Sequence, residues 1–259
     1  MKRVTALCPT FRHPKLLANS VALWKLQDYP LEKRRLIILD DGQTFGPCSE
    51  PGWDLHSLPI RCRSISEKYN YMLDMMGPTD IVLVWEDDDL YLPGYVSAHV
   101  SAILGNPRHC DTEETGELQS FIDYRNMAEY SKPSRVLSDY PGKIIEENAA
   151  GRFHSSIAFT ADLILRLGGW PDTRRADFDQ QLMSKLASEA NKIVDPWPTG
   201  PIPFIYRWHS GAAHCQSTMD RGPGDETWWD RAEQSYAKVP FVGKLEPKLD
   251  EFTERVLAR

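Results

Sequence analysis

Four successive acids, Glu86-Asp87-Asp88-Asp89, follow directly on the apolar run Ile81 to Trp85. Side by side they repel one another, so a positive group must compensate for them. Carboxylate oxygens suit a hard divalent cation, Mn2+ or Mg2+, shared with a substrate diphosphate. The competing reading is a solvated acidic turn, but ligands of α/β sheets bind at strand ends, which favours function. A second acid pair, in Asp40-Asp41-Gly42, follows Leu36-Ile37-Ile38-Leu39. A carboxylate here is able to accept hydrogen bonds from a base N–H or a ribose hydroxyl, although Asp-Gly is also ordinary turn chemistry. Asp177 and Asp179 stand near a helix start, where the helix dipole and capping favour acids. The functional alternative makes one of them a general base within hydrogen-bond reach of an acceptor hydroxyl. His209 and His214 lie in a Gly/Ala-rich stretch beginning at Tyr206-Arg207-Trp208. Neutral imidazole ligates metals and the protonated form neutralises a leaving phosphate, while a lone histidine is more often structural.

The surrounding elements must position these groups. Val4 to Cys8 predicts a strand broken by Pro9, and Leu16, Leu17, Val21 and Trp24 follow helical spacing until Tyr29-Pro30. The run Leu36 to Leu39 suits a strand covered on both faces. Ser64-x-x-Glu67 has the form of a capping box, opening a helix with Ile65, Tyr69, Met72, Leu73 and Met76 on one face. Strand, helix, strand, helix, strand predicts an α/β fold with a mostly parallel sheet flanked by helices. Beyond residue 105 the pattern loosens. Residues 106–150 read as irregular, with a short strand near 119–124. Order returns with a strand at Ser156 to Phe159, a helix at Ala161 to Leu167 ended by Gly168-Gly169, and a helix carrying Phe178, Leu182, Leu186 and Ala190. Four prolines fall in residues 195–203, and Leu249, Phe252 and Val256 suggest a closing helix.

The chain has 259 residues, 41% hydrophobic and 26% charged, enough to bury a sizeable core. Its formal charge of −7, from 37 acidic and 30 basic side chains, is the wrong sign for extensive phosphate-backbone contact. No apolar stretch approaches the roughly 18 residues that cross a bilayer. The N-terminal apolar run before Pro9 is too short for a secretory signal. Five scattered cysteines without C-x-x-C spacing argue against a structural zinc and fit reduced thiols in a cytoplasm.

Taken together, the motifs resemble the inverting, family-2-like GT-A glycosyltransferases over roughly residues 3–217. Val4 to Arg12 looks like the family's first strand and nucleotide-touching loop, with Pro9, Thr10 and Arg12 in that loop. Leu36 to Gly42 resembles its base-reading segment, with Asp40 and Asp41 as the acids. Lys68-Tyr69-Asn70 is similar to the family's Ala-Arg-Asn helix start, which places Lys68 and Asn70 at the nucleotide-sugar. Glu86 to Asp89 with Pro93 resembles the Asp-x-Asp-Asp motif. There Glu86 and Asp87 face the donor and Asp88 and Asp89 the metal. Gly168-Gly169-Trp170 resembles the Gly-Gly-Phe turn, and Ala176-Asp177-Phe178-Asp179 matches Glu-Asp-Trp-Asp, with Asp177 as the base and Ala176 departing from the pattern. Trp170, Asp179 and His209 are then expected at the acceptor. Arg207 is expected at the diphosphate, and His214 at the diphosphate or the metal.

The resemblance implies one GT-A domain over residues 1–259. Residues 1–105 would form the nucleotide-sugar-binding half, 106–220 the acceptor-binding and catalytic half, and 221–259 a helical extension. It implies metal-dependent transfer from a nucleoside-diphosphate sugar, UDP-linked, to the hydroxyl of a saccharide or small molecule, with inversion at the anomeric carbon. Two other readings stay open: sugar transfer to a modified DNA base, and a non-catalytic nucleotide or sugar binder of the same fold. A nucleotidyltransferase would want a Gly-rich phosphate loop early in the chain, and Pro9 to Lys15 contains no Gly. Exposed Trp228-Trp229 reads as packing, an interface or an acceptor platform.

Overall fold

The computed structural model describes residues 1–105, 128–139, 144–175 and 177–207, and the backbone pairing of 237–238. The expected strand near 119–124, the closing helix, His209, His214 and Trp228-Trp229 lie outside these residues.

An eight-stranded sheet runs in the order β11-β7-β10-β5-β1-β2-β4-β3. Its parallel centre is β5 (Ile81–Val84), β1 (Val4–Thr10), β2 (Arg34–Asp40) and β4 (Trp53–Ser57). On one side β10 (Ala158–Thr160) and β7 (Tyr130–Ser131) add antiparallel, and β11 (Ile193–Val194) pairs parallel to β7. On the other, β3 (Cys48–Glu50) closes the edge antiparallel to β4. The sheet is therefore mixed and mostly parallel, as the alternating strands and helices predict.

Alternation of side chains along each central strand explains the continuous apolar runs. Ala6, Cys8, Leu36, Ile38, Ile81 and Leu83 join one core with Leu17, Val21 and Trp24 of α1 (Pro14–Lys25) and Val96 and Val100 of α3 (Tyr95–Ile103). Leu7, Ile37, Leu39, Val82 and Val84 join the other. There they meet Tyr69 and Met72 of α2 (Ile65–Asp74), Leu163 of α4 (Ala161–Arg166) and Leu182 of α5 (Phe178–Glu189). A strand with helices on both faces has no polar side.

Several boundaries differ from expectation. Pro9 does not break β1, which continues to Thr10 beside Asp40. Leu7 accepts from Trp85 N–H on the β5 side, and two residues on, Pro9 faces the same way, past the last β5 partner at Val84. The missing proline N–H therefore forfeits no sheet bond. Ser64 accepts from Glu67 N–H as a capping box requires, but the Glu67 carboxylate reaches back to Arg63 N–H instead of the cap residue.

The reading of 106–150 as irregular is overturned at its C-terminal end. There β8 (Arg135–Asp139) and β9 (Ile144–Asn148) form a hairpin-like antiparallel pair. They belong to a second sheet, ordered β13-β9-β8-β12-β6, with β6 (Leu90–Tyr91), β12 (Phe204–Arg207) and β13 (Ala237–Lys238). The strand signal was hidden because buried positions carry polar residues. Ser138 donates to Glu147 at 2.9 Å, and Glu147 is also paired with Arg152. Among the described residues no helix is long and apolar enough to cross a membrane.

Candidate functional site

Because β5, β1 and β2 are adjacent and parallel, their C-terminal ends lie along one edge. Thr10, Asp40 and the acids after Val84 therefore share a crevice. Asp87 is buried and accepts from the Thr10 hydroxyl at 2.5 Å, with His13 Nδ1 at 3.4 Å. His13 is the residue before α1, so this carboxylate sits at a helix N-terminus, where the dipole favours negative charge. Burial raises the Asp87 pKa, His13 and Thr10 oppose that rise, and the neighbouring Asp88 adds to it.

The other three acids face one another. Glu86, Asp88 and Asp89 each offer a carboxylate oxygen within 4.8 Å of the other two. Asp88 and Asp89 are 3% and 2% exposed. Asp89 Oδ1 accepts from Arg207 N–H at 2.8 Å, which ties β12 to the cluster. Its Oδ2 is buried and lacks a well-formed hydrogen bond among the described residues. Burial, then repulsion from Asp88 and Glu86, holds the Asp89 pKa well above the ordinary carboxylate range. An all-oxygen donor set, buried and self-repelling, fits a hard divalent cation, which would relieve both penalties at once.

Behind Glu86 lies a chain of fixed groups. Tyr91 Oη accepts from Glu86 N–H at 2.7 Å and donates to the Ser155 carbonyl. His154 Nδ1 lies 3.1 Å from Glu86 Oε1, and His154 Nε2 accepts from Trp170 Nε1–H at 3.0 Å. Trp170 stacks on Tyr69, ring centroids 4.5 Å apart and planes 8° from parallel. Sequence reasoning passed over His154, His13 and Tyr91. His154 carries no spacing signal, and its partners stand 68 residues upstream and 16 downstream.

Asp40 and Asp41 take different structural roles. Asp40 is wholly buried and binds its own turn, accepting from Gly42, Thr44 and Phe45 N–H. Asp41 accepts from Cys62 N–H at 3.0 Å and from Lys68 Nζ at 2.5 Å. Lys68 also donates to the Thr10 carbonyl. Lys68 thus forms a buried pair that ties α2 to the ends of β1 and β2. Burial, with Asp41 next in effect, pushes the neighbouring Cys62 thiol up to about 11. At the crevice mouth Phe11 lies beneath Arg61, 3.6 Å from guanidinium carbon to ring centre, and beside Arg12 at 5.1 Å. Arg12 adopts φ 60°, an unusual backbone for a residue with a side chain. Pro9 is buried within β1.

The Asn70 side-chain amide is engaged within the protein. It clips the backbone of Trp170, accepting from its N–H at 2.7 Å and donating to its carbonyl at 3.0 Å. A Cβ on Gly169, whose φ is +85°, would fall 2.4 Å from Asn70 Oδ1, so the clip requires glycine there. Trp170 itself is 2% exposed and packs face to face on Tyr69.

Asp177 precedes α5 and makes no cap hydrogen bond with its side chain. Its carboxylate receives a two-point contact from Arg175 at 2.9 and 3.0 Å and one from Gln181. The Arg175 hydrogen bonds lower its pKa. Phe178, the next residue, packs edge-on against His154 at 5.5 Å, so the start of α5 abuts the group that holds Glu86. Asp179 bonds the backbone and amide of Gln180.

No family model matches the chain, and no curated protein matches it. Solved structures do. Staphylococcus aureus TarS residues 1–349 in complex with UDP-GlcNAc superposes with a TM-score of 0.57 at 15% identity, covering 83% of this chain and 61% of that one. The mannosyltransferase PcManGT from Pyrobaculum calidifontis, in complex with GDP-Man and Mn2+, gives 0.55 at 16% identity over 90% of this chain and 61% of that one. A further S. aureus TarS structure gives 0.54 at 14% identity, over 80% of this chain and 37% of that one. The chain therefore has the fold of these proteins and spans less than two thirds of their length.

Proposed function

We propose that the chain is a metal-dependent glycosyltransferase that moves a sugar from a nucleoside-diphosphate sugar, UDP-linked, to a hydroxyl acceptor with inversion at the anomeric carbon. The observation that carries this reading is the convergence of Glu86, Asp88 and Asp89 at the end of β5, with Asp87 held to Thr10 at the end of neighbouring β1. The fold is one in which neighbours are seen with UDP-GlcNAc or with GDP-Man and Mn2+.

Asp88 and Asp89, with Glu86, would hold Mn2+ or Mg2+. When bound, the cation would neutralise charge on the departing diphosphate. The crevice end of β1 and the Asp41–Lys68 pair would shape the base and ribose side. Asp177 would take the proton of the acceptor hydroxyl as that oxygen attacks. Arg175 keeps Asp177 ionised, the form a base needs, and the acceptor must displace that guanidinium to reach it.

The test is a thermal-shift panel of UDP, GDP, CDP, dTDP and ADP, each with and without Mn2+. A ligand that binds the native state raises the melting temperature. A Mn2+-dependent rise with UDP, followed by product of inverted anomeric configuration by NMR, supports the proposal. Absence of any nucleotide-dependent shift in Mn2+ sinks it.

A further inference from the structure

Histidine 154 has no assigned part in the reaction above, yet it is placed against the acid cluster with little freedom. Its side chain is 4% exposed. Tyr69 and Phe178 contact it edge-on at 5.2 and 5.5 Å. The indole N–H of Trp170 can only donate, so His154 Nε2 must present its lone pair. A neutral imidazole then carries its single proton on Nδ1, the atom that lies 3.1 Å from Glu86 Oε1. Trp170 is itself fixed three ways: stacked on Tyr69, clipped by Asn70 and preceded by two left-handed glycines. The direction of each hydrogen bond is therefore set from the tryptophan outward.

We infer that the buried relay Trp170–His154 is a positioning device for Glu86, with His154 Nδ1–H donating to its carboxylate and turning it toward Asp88 and Asp89 as a metal ligand. The inference rests on the reading of the cluster given above. Outer partners of this kind typically change metal affinity by about 10–100-fold. The relay also explains why Glu86 is tolerated where a shorter acid is expected: the longer side chain needs an external hold to stay in one rotamer. Asp87 has such a hold from Thr10, on the opposite side of the run.

The test is Mn2+ binding in the presence of UDP, read as free Mn2+ by electron paramagnetic resonance, together with the 15N NMR shifts of His154. The parent is expected to show His154 Nε2 as an unprotonated, pyridine-type nitrogen and Nδ1 as protonated. His154→Leu is expected to weaken Mn2+ binding by about 10–100-fold. His154→Asn, whose amide donates from near the Nδ1 position, recovers most of that loss. Trp170→Phe, which keeps the stack and removes the N–H, is expected to lose several-fold and serves if the leucine variant does not fold. A parent with Nε2 protonated, or a folded leucine or phenylalanine variant that binds Mn2+ as the parent does, overturns the relay and leaves the metal site standing. A parent that binds no Mn2+ with any nucleoside diphosphate sinks the functional reading, and this inference with it.

Discussion

The ammonium of Lys68 lies 2.5 Å from Asp41 Oδ1, with both side chains at most 6% exposed. The pair joins the first turn of α2 to the end of β2, and through the Thr10 carbonyl to β1. Removing one member leaves the other buried without its counter-charge. Lys68→Met is expected to lower unfolding free energy by about 3–5 kcal/mol, and the double change with Asp41→Leu to recover part of it. Urea unfolding of the three variants measures the coupling directly.

For Asp89 the sign is reversed. Burial and two neighbouring carboxylates already disfavour its charge. Asp89→Asn should therefore leave the metal-free protein as stable as the parent or more so, while abolishing the rise in melting temperature that Mn2+ and UDP produce together. Differential scanning fluorimetry with and without the ion reads both effects.

Asp177→Asn is expected to reduce transfer by about 10²–10⁴-fold while leaving UDP binding unchanged, since a base contributes to the chemical step. Arg175 holds the Asp177 pKa down, so Arg175→Ala lets it rise toward the ordinary aspartate value. The acid limb of kcat/KM against pH must then move to higher pH. An unmoved limb would remove Asp177 from the base role.

His99 couples stability to pH. It is buried between Tyr95 and Trp197 and bonded to Ser131, and burial pushes its pKa down to about 3. The unfolded chain takes up this proton near the ordinary histidine value, and the folded one does so only near the lower value. Between them the unfolded state binds more protons, so stability falls as pH falls, by about 1.4 kcal/mol per unit from this group. Chemical unfolding at pH 7, 6 and 5 should show a shallower decline for His99→Phe than for the parent.

The central strands were legible because their apolar runs are uninterrupted and end abruptly in acids, as at Leu36 to Asp41 and Ile81 to Asp89. Periodicity cannot say which acid turns which way. Asp87 leaves its neighbours for Thr10, a partner 77 residues earlier, and Asp40 binds its own loop. The first outcome depends on strand order and the second on the local turn. The β8–β9 pair escaped notice for a different reason: Ser138 and Glu147 satisfy each other inside the protein, so burial there leaves no hydrophobic trace. Trp170 was legible only as part of a glycine turn. Its stack on Tyr69, a residue of α2 distant in sequence, and its bond to His154 show it as support for Glu86.

The diversion of Asp87 to the N-terminus of α1 has a kinetic consequence. It turns one carboxylate away from the other three, so the ligand set of Glu86, Asp88 and Asp89, once ionised, outweighs a doubly charged ion by a single unit. A bare pyrophosphate arriving first would confront those three anions alone, whereas one arriving with or after the ion would not. On the proposed reading the ion is accordingly expected to precede or escort the nucleotide on the way in.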